Sequence, residues 1–469
     1  NGGSGLVHGV IVQFGGQTPL NLAHGLVEAG APIIGTSVDS IDLAEDRNRF
    51  DALLDRLQLH RPASGIARSL EQAVTEAARI GYPVLIRPSY VLGGRGMEIC
   101  QDEGALRNFI TTALQISGAD NAPVLIDKFL AGAIEVDVDV VADFVPTSST
   151  GSVAGVRGGS PSHSPIALIC GVMEHIEQAG IHSGDSACTL PPASLDKEMI
   201  GRIEVLGRVI AKELNLCGLM NIQLAIKDGV IYILEVNPRA SRTVPFVSKA
   251  THVPWPAIAA KAMMGKSLTA QGARERTLRG CYAVKESVFP FSKFPGVDVV
   301  LGPEMRSTGE VMGIDVSLPI AFAKSQMGAG TWLPTDPKKG GVFISVRADD
   351  RDIIVEPART LIDLGFKIYA TEGTAQHLRA HGLAPAMLQK VATGARPNVI
   401  DMMSNGEIAL IINTPTRTGW KTDEGRIRST AVRFSVPMIT TATAAVAATR
   451  AMAAIRERGW SVAAMQDYE

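Results

Sequence analysis

The residues with the clearest chemistry lie in one short segment, residues 223–239. Its sequence predicts two β-strands around an Asp-Gly turn. Glu235 and Asn237 are two residues apart on the second strand, so both side chains should point to the same face. Gln223 is expected near the start of the partner strand. Such oxygen ligands suit the Mg²⁺ or Mn²⁺ that accompanies a nucleoside triphosphate; the alternative is an ordinary hairpin with solvated polar residues.

Arginines near this segment point to phosphate chemistry. Arg239 and Arg242 follow directly on the second strand and would neutralise charge that develops on a transferred phosphoryl group, unless they form only a cationic surface turn. A glycine-rich loop that carries Arg87 and Arg95 could cradle phosphates, because glycine lets backbone N–H groups approach an anion. Surface Gly-Arg loops are common, so this loop does not decide the function by itself.

A third polar segment, residues 175–188, lies in an otherwise apolar context. Its His182, Ser183 and Asp185 could bind ribose, phosphate or substrate. A satisfied structural turn is the alternative, since a lone histidine is usually structural. A binding role for this segment is considered only because the hairpin residues offer a site to which it could contribute.

The sequence pattern predicts helices and strands that would position these residues, and their order indicates an α/β protein. Residues 6–45 indicate a βαβ fragment, and residues 135–143 alternate carboxylates with valines, which predicts a half-buried strand. Residues 145–167, rich in Ser, Gly and Pro, predict a surface loop or insertion. The other predicted helices are residues 45–59, 70–80, 195–215 and 253–264, and the other predicted strands are residues 82–87, 124–127, 341–346, 367–370 and 408–413.

A composition change near residues 331–340 precedes a separate small α/β domain of roughly 130 residues. Ligands bind at the carboxyl ends of parallel strands, and polar residues there suggest a phosphorylated effector. Helix N-caps and surface charge are the alternative. The candidate effector contacts are Thr371, Thr374, Lys390, Asn413 and Thr414.

Bulk properties exclude several classes. A chain of 469 residues should hold roughly two to four domains. A net charge of −2 gives no electrostatic case for nucleic acid or a membrane surface. No apolar run is long enough for a bilayer and no signal peptide is evident. The five scattered cysteines indicate reduced, mostly buried thiols of a cytoplasmic protein.

Several long motifs together resemble the C-terminal half of the large subunit of carbamoyl-phosphate synthases. Among them are Met173-Glu-His-Ile-Glu-Gln-Ala-Gly-Ile-His-Ser-Gly-Asp-Ser-Ala-Cys188 and Glu235-Val-Asn-Pro-Arg-Ala240. The similarity covers nearly the whole chain, and motifs of this length are highly specific. The other matching segments are residues 13–20, 44–50, 87–95, 243–251 and 293–313.

The resemblance implies a domain order. Residues 1–5 would be a linker or cut end, and the chain would begin partway into a domain. Residues 6–45 would be a partial pre-ATP-grasp domain. Residues 46–330 would be an α+β ATP-grasp domain, in which residues 145–167 look longer than the connection expected there. Residues 338–469 would be a methylglyoxal-synthase-like regulatory domain, a small parallel α/β fold.

The resemblance also assigns residues. Gln223, Glu235 and Asn237 would hold two Mg²⁺ or Mn²⁺ ions, and Gln223 and Glu235 would also contact ATP. Arg239, Arg242 and Asn237 would act on the carbamate and the transferred phosphoryl group. The other residues that would line the ATP site are Arg47, Arg87, Lys128, Leu130, Glu135, Gly180, Ile181, His182 and Ser183.

The activity implied is that of an ATP-grasp ligase that phosphorylates carbamate with ATP, giving carbamoyl phosphate for pyrimidine and arginine synthesis. The implied partners are a glutamine amidotransferase small subunit, the N-terminal half of the large subunit and a nucleotide or metabolite effector. UMP, IMP, ornithine and N-acetylglutamate are family possibilities for that effector. Two alternatives stay open: another ATP-grasp ligase, and a truncated, catalytically silent fragment that binds ATP or the effector.

Overall fold

The computed structural model describes residues 8–88, 97–117, 123–144, 164–294, 299–414 and 422–468. Two compact units share the chain. The first comprises Asn1–Gly65, Asp127–Glu174 and Leu190–Arg279, and the second comprises Ile66–Ile126, His175–Thr189 and Gly280–Glu469. The expectations for residues 1–5, for Arg95 and its glycine loop, and for residues 145–163 lie outside the described residues.

The elements are numbered along the chain. The helices are α1 (Gln17–Asn21), α2 (Ala23–Glu28), α3 (Val38–Glu45), α4 (Arg47–Arg56), α5 (Leu70–Ile80), α6 (Glu103–Ser117), α7 (Lys197–Glu213), α8 (Thr243–Thr251), α9 (Trp255–Met263), α10 (Leu318–Gly328), α11 (Arg351–Asp363), α12 (Glu372–Ala380), α13 (Val399–Ser404), α14 (Asp423–Arg433) and α15 (Ala442–Arg458). The strands are β1 (Ser64–Ala67), β2 (Val84–Pro88), β3 (Glu98–Cys100), β4 (Val124–Lys128), β5 (Ile134–Asp143), β6 (Ala167–His175), β7 (Cys188–Leu190), β8 (Cys217–Lys227), β9 (Val230–Asn237), β10 (Tyr282–Val288), β11 (Gly309–Asp315), β12 (Gly341–Ser345), β13 (Ile368–Ala370), β14 (Ala386–Met387), β15 (Ile408–Asn413) and β16 (Met438–Ile439).

The first unit is built on antiparallel strands in the order β6-β5-β8-β9. Alternate residues of these strands pack with apolar residues of α4 and α7 in one core. Asp196 is the N-cap residue of helix α7, and its carboxylate accepts the Met199 backbone N–H at 2.7 Å. Its buried Ile203, Leu206 and Ile210 recur at helical spacing, which explains why this segment is a helix over the sheet.

The second unit contains a sheet of order β1-β4-β2-β3, whose core includes residues of α5 and α6. The antiparallel pair β10–β11 and the short β7 form another group of strands. The parallel sheet has the order β14-β13-β12-β15-β16. Its central strands are apolar on both faces: Val342 and Ile344 pack with α11 and α15, whereas Phe343 packs with α13 and α14.

The α/β class and the parallel sheet of the small domain are confirmed. Most predicted elements are present within a few residues of the expected bounds, and α5 coincides with its prediction. The predicted βαβ fragment of residues 6–45 is reduced: one parallel bridge joins Val10 to Ile33, with α1 and α2 between them. The domain boundaries stay a prediction, because the two compact units do not follow them.

All five cysteines are free and buried, as predicted. Burial raises the pKa of the Cys100 thiol to about 12 and that of Cys217 to about 11. These thiols are therefore protonated at neutral pH. Among the described residues, no helix is long and apolar enough to cross a membrane.

Candidate phosphoryl-transfer site

The predicted hairpin is present as β8 and β9. Asp228 and Gly229 have φ values of 51° and 75°, the left-handed conformation that a two-residue hairpin turn requires. Gln223 lies in the middle of β8, not near its start as expected. The strands are long because each contributes apolar residues to the core on its other face.

A bulge in β9 decides which side chains leave the core. Gln223 is paired with Glu235, but Leu224 is paired with Ile233, so Leu234 is the extra residue. Ile233 and Val236 are both buried although three positions separate them. Strict alternation would send one of them outward. The extra residue keeps both in the core and turns Glu235 to the opposite face.

The hairpin therefore brings together the three predicted metal ligands. Gln223 lies directly opposite Glu235, and Asn237 is opposite Asn221 two positions along the same face. Glu235 is exposed, Gln223 is half-buried and Asn237 is 8% exposed. The three predicted ligands thus lie on one polar face of the sheet and differ in their exposure to solvent.

Strand β5 extends this face with two carboxylates that the sequence analysis did not select. Asp137 is paired with Gln223 and Asp139 with Asn221. The prediction that this strand is half-buried is wrong, since Asp137 is 2% exposed and Asp139 is fully buried. Buried carboxylates are tolerated only where donors surround them. The signal that could have found them was their alternation with valine, two positions apart like the pair on β9.

Asp139 is held by three donors. The Asn221 amide donates to its Oδ1 at 3.0 Å, Ser241 Oγ donates to Oδ1 at 2.9 Å, and Thr243 Oγ1 donates to Oδ2 at 2.7 Å. Burial raises the pKa of Asp139 to about 6, against the effect of these hydrogen bonds. Ser241 and Thr243 lie at the end of the loop that follows β9, so Asp139 fixes that loop from one side.

Gln13 fixes the same loop from its other end. Its buried amide donates to the Pro238 carbonyl at 2.6 Å, and its backbone carbonyl accepts the Ala240 N–H at 2.9 Å. Gly218 has φ +120°, and a Cβ there would lie 2.8 Å from Gln13 Oε1 and would overlap Met263. Only glycine fits this close approach. The sequence analysis used Gln13 for the resemblance and gave it no role.

Arg239 and Arg242 lie on this doubly anchored loop. Arg239 Nη2 donates to Asn237 Oδ1 at 3.1 Å, so the guanidinium is beside a predicted metal ligand. Its Nε is buried and finds no hydrogen-bond acceptor among the described residues. Arg242 is the N-cap residue of α8. An oriented guanidinium with an unmet donor is suited to phosphate or carboxylate oxygens.

Arg47, Lys128, Leu130 and Glu135 also lie in the first unit. Arg47 begins α4 and forms an ion pair with the buried Asp127, the residue before Lys128. Lys128 is fixed by its backbone N–H, which donates to Ala63 at 2.7 Å. Leu130 lies in the turn before β5, where its carbonyl accepts the Ala133 N–H. Glu135 is on β5, two positions before Asp137, and therefore shares the polar face.

The donor set of this face fits a hard divalent cation. Glu235 offers carboxylate oxygens, and Gln223 and Asn237 each offer an amide oxygen, the ligand types that Mg²⁺ and Mn²⁺ take. Asn237 Oδ1 accepts one hydrogen bond from Arg239 and keeps a second lone pair. The carboxyl group of Asp137 lies next to these ligands, on the paired strand β5. These residues would hold the metal, and Arg239 would face the anion that the metal brings.

The remaining predicted ATP contacts belong to the second unit. Arg87 is half-buried on β2. Residues 180–183 form a loop in which the His182 N–H donates to Gly302 at 2.8 Å and the Ser183 carbonyl accepts Lys285 Nζ at 3.2 Å. Asp185 accepts the backbone N–H groups of Arg306 and Ser307. The structural reading of Asp185 is thus supported, and the ligand roles of Arg87, Gly180, Ile181, His182 and Ser183 stay predictions.

The predicted effector contacts collect near the carboxyl end of β12. Thr371 Oγ1 is 3.1 Å from Ser345 Oγ, and Thr374 Oγ1 accepts the Val346 N–H at 3.2 Å. Asn413 donates to the Ser345 carbonyl, and Thr414 accepts the Arg347 N–H. Lys390 is exposed and follows β14 at the same end of the sheet.

Two glutamates of the second unit, the buried Glu286 and the half-buried Glu177, were missed by the sequence analysis. Burial raises the pKa of Glu286 to about 8 and that of Glu177 to about 7. Glu177 accepts the Ala187 N–H at 2.7 Å, and Gln326 donates to Glu286. Glu177, Gln326 and Thr441 line a cavity of about 70 Å³. Nothing in the spacing of these residues indicated that they would be removed from solvent to this extent.

These glutamates should make stability depend on pH. Both pKa values are raised from 4.5, so the folded state binds protons that the unfolded chain has released. The free energy of unfolding should therefore fall as pH rises from about 4.5 to about 8. Glu286→Gln should reduce that fall in urea unfolding at pH 5 and pH 8. The exposed Glu457→Gln should leave it unchanged, and an equal fall in both variants would contradict this assignment.

Comparison with known proteins identifies families and relatives that this chain resembles. The family model described as "Carbamoyl-phosphate synthase L chain, ATP binding domain" matches residues 46–148 and 163–271, and the "MGS-like domain" model matches residues 353–440. The carbamoyl phosphate synthase large chain of Rhodopirellula baltica is 51% identical over 98% of this chain and 40% of its own length. That of Archaeoglobus fulgidus is 52% identical over the same shares.

Solved structures give a weaker likeness. The biotin carboxylase domain of 2-oxoglutarate carboxylase from Hydrogenobacter thermophilus is 20% identical, with a TM-score of 0.49 over 64% of this chain and 69% of that chain. The chain spans about two fifths of the length of the curated relatives it matches. With the ATP-binding and MGS-like models matched in this order, the chain belongs to the carbamoyl phosphate synthase large-chain family.

Proposed function

We propose that this chain transfers the γ-phosphoryl group of ATP to a carboxylate oxygen of carbamate, giving carbamoyl phosphate and ADP. The observation that carries the proposal is the polar face of β5, β8 and β9, with the oxygen ligands Gln223, Glu235 and Asn237 and the adjacent Arg239. The relatives' printed name, carbamoyl phosphate synthase large chain, agrees with this product.

The residues divide the work between binding and charge stabilisation. Mg²⁺ or Mn²⁺, two ions per site by the family resemblance, supplies Lewis-acid stabilisation of the phosphate oxygens. Arg239 and Arg242 face the carbamate and the transferred group, while Arg47 binds phosphates of ATP and Lys128 lines the adenine and ribose site. The bond between the γ-phosphorus and the bridging oxygen of ADP breaks as the new bond to carbamate forms. No protein nucleophile takes part.

The anchored loop should matter because phosphoryl transfer depends on position. Asp139 holds one end of the loop and Gln13 the other. Neither side chain needs to touch substrate. They hold two arginines at fixed positions, so that little reorganisation is required when charge develops on the transferred group.

Partners and context extend the proposal. Carbamate is expected from the N-terminal half of a large subunit, and ammonia from a glutamine amidotransferase subunit. The product would feed pyrimidine and arginine synthesis in the cytoplasm. A nucleotide or metabolite effector would bind near Thr371, Thr374, Lys390, Asn413 and Thr414.

The direct test is the reverse reaction, because carbamate is short-lived in water. The chain should form ATP from ADP and carbamoyl phosphate with Mg²⁺, and EDTA should abolish this activity. ATP binding is measured in the same preparation. Binding without turnover would support the silent fragment instead, and turnover with another acyl phosphate but not carbamoyl phosphate would support a different ATP-grasp ligase.

A further inference from the structure

Two histidines and one aspartate, none of which has a role above, converge on the surface of the small parallel domain. His377 and His381 are four positions apart on α12 and at its end, so their rings lie on one face. The ring centroids are 4.6 Å apart. Asp352, in the first turn of α11, reaches the same point from the neighbouring helix.

The distances suit one shared ion. Each of the three residues offers one ligand atom, and these atoms lie within 4.8 Å of one another. Around a tetrahedral zinc ion, with bonds of about 2.0–2.2 Å, neighbouring ligand atoms are roughly 3.4 Å apart. His377 Nε2 and Asp352 Oδ1 are already 3.0 Å apart. Small side-chain rotations would complete the set, and Asp352 is exposed enough to make them.

The hydrogen bonds around the rings favour a metal over a simple ion pair. His381 Nδ1 lies 3.0 Å from the His377 carbonyl oxygen, to which it can donate, and this fixes the ring with Nε2 as the lone-pair nitrogen. His377 Nε2 is buried, and despite its proximity to Asp352 it makes no hydrogen bond of good geometry with any described residue. Because no hydrogen bond joins them, the His377 nitrogen and the Asp352 oxygen are both available to bind one cation.

We propose that His377, His381 and Asp352 form a binding site for a divalent transition-metal ion of the zinc type. Imidazole and carboxylate are zinc ligands, and three of them leave the fourth position to water. The ion would join α11 to α12, so its binding would stabilise the small domain. This site is independent of the proposed Mg²⁺ site, whose ligands are all oxygens and lie in the first unit.

Zinc titration of the full chain, with excess Mg²⁺ present to fill oxygen-ligand sites, tests the proposal. His381 and Asp352 are exposed, so their substitution should leave the chain folded. His381→Ala and Asp352→Asn should each lower the zinc affinity of this site by about tenfold or more. Zinc should also raise the Tm of the wild-type chain, and His381→Ala should lose that shift.

The matched control is His24→Ala. His24 Nε2 lies 3.0 Å from Asp42, the same separation, but in a pair with one histidine. His24→Ala should keep the wild-type affinity and Tm shift. Equal zinc affinity and stoichiometry in the wild type, His381→Ala and Asp352→Asn would overturn the proposal, as would a wild-type chain that binds no zinc.

Discussion

Glu235→Gln should lower the rate of ATP formation from ADP and carbamoyl phosphate by roughly a hundredfold or more. Glutamine keeps the length and one oxygen of glutamate but removes the negative charge. Glu235 is the carboxylate among the three proposed metal ligands, directly opposite Gln223 on the polar face. The variant should therefore bind the catalytic cation weakly at the position where charge must be stabilised in phosphoryl transfer.

Because Glu235 is exposed and glutamine has nearly the same shape, this substitution should leave the fold intact. Initial rates are compared over a Mg²⁺ series, since loss of a ligand should be partly offset by more metal. Glu198→Gln is the control: Glu198 is exposed in the first turn of α7 and belongs to the same unit. A Glu235→Gln variant with the wild-type rate at every Mg²⁺ concentration would show that the hairpin is not the metal site.

Asp139→Ala should reduce the free energy of unfolding by about 3–5 kcal/mol. The side chain is fully buried, and its two oxygens accept hydrogen bonds from Asn221, Ser241 and Thr243. Alanine leaves these donors without their acceptor inside the protein. The raised pKa of Asp139 shows that its burial is itself unfavourable. The loss of hydrogen bonds should outweigh that relief, because three donors lose their acceptor and two of them, Asn221 and Thr243, are buried.

Urea unfolding at pH 7.5, followed by circular dichroism, measures this effect. Thr243→Ala removes one of the three donors and should cost only about 1 kcal/mol. Asp139→Asn keeps the shape and one acceptor oxygen and should fall between the two alanine variants. If Asp139→Ala were no less stable than Thr243→Ala, the carboxylate would not be the centre of the network.

The sequence predicted the strands that form the site better than it predicted how deeply the side chains of the site are buried. The Asp-Gly turn and the apolar alternation of β8 were local signals, so the hairpin could be placed from them. The β9 bulge was not visible, because Leu234 looks like one more apolar residue until the register with β8 is known. The burial of Asp137 and Asp139 depends on the pairing of β8 with β5, a contact between residues far apart in the chain.

The same reason explains the other differences. Gln13 has no local feature that marks it as the anchor of a loop more than two hundred positions away. Glu286 becomes buried and Glu177 half-buried only when β10 and the 175–189 segment fold in the second unit. His377 and His381 had helical spacing in the sequence, but Asp352 joins them only through the packing of α11 beside α12. A local sequence pattern predicts a single helix or strand, whereas each of these sites combines residues from several elements.

Gln13 has a consequence for how the chain may be divided. The family model for ATP binding begins at residue 46, and a modular view would treat everything before it as a separate piece. Yet the amide that holds Pro238, and the carbonyl that holds Ala240, both belong to a residue upstream of that boundary. The segment matched by the family model and the segment needed to hold the arginine loop therefore have different boundaries. The second begins earlier, because it includes Gln13.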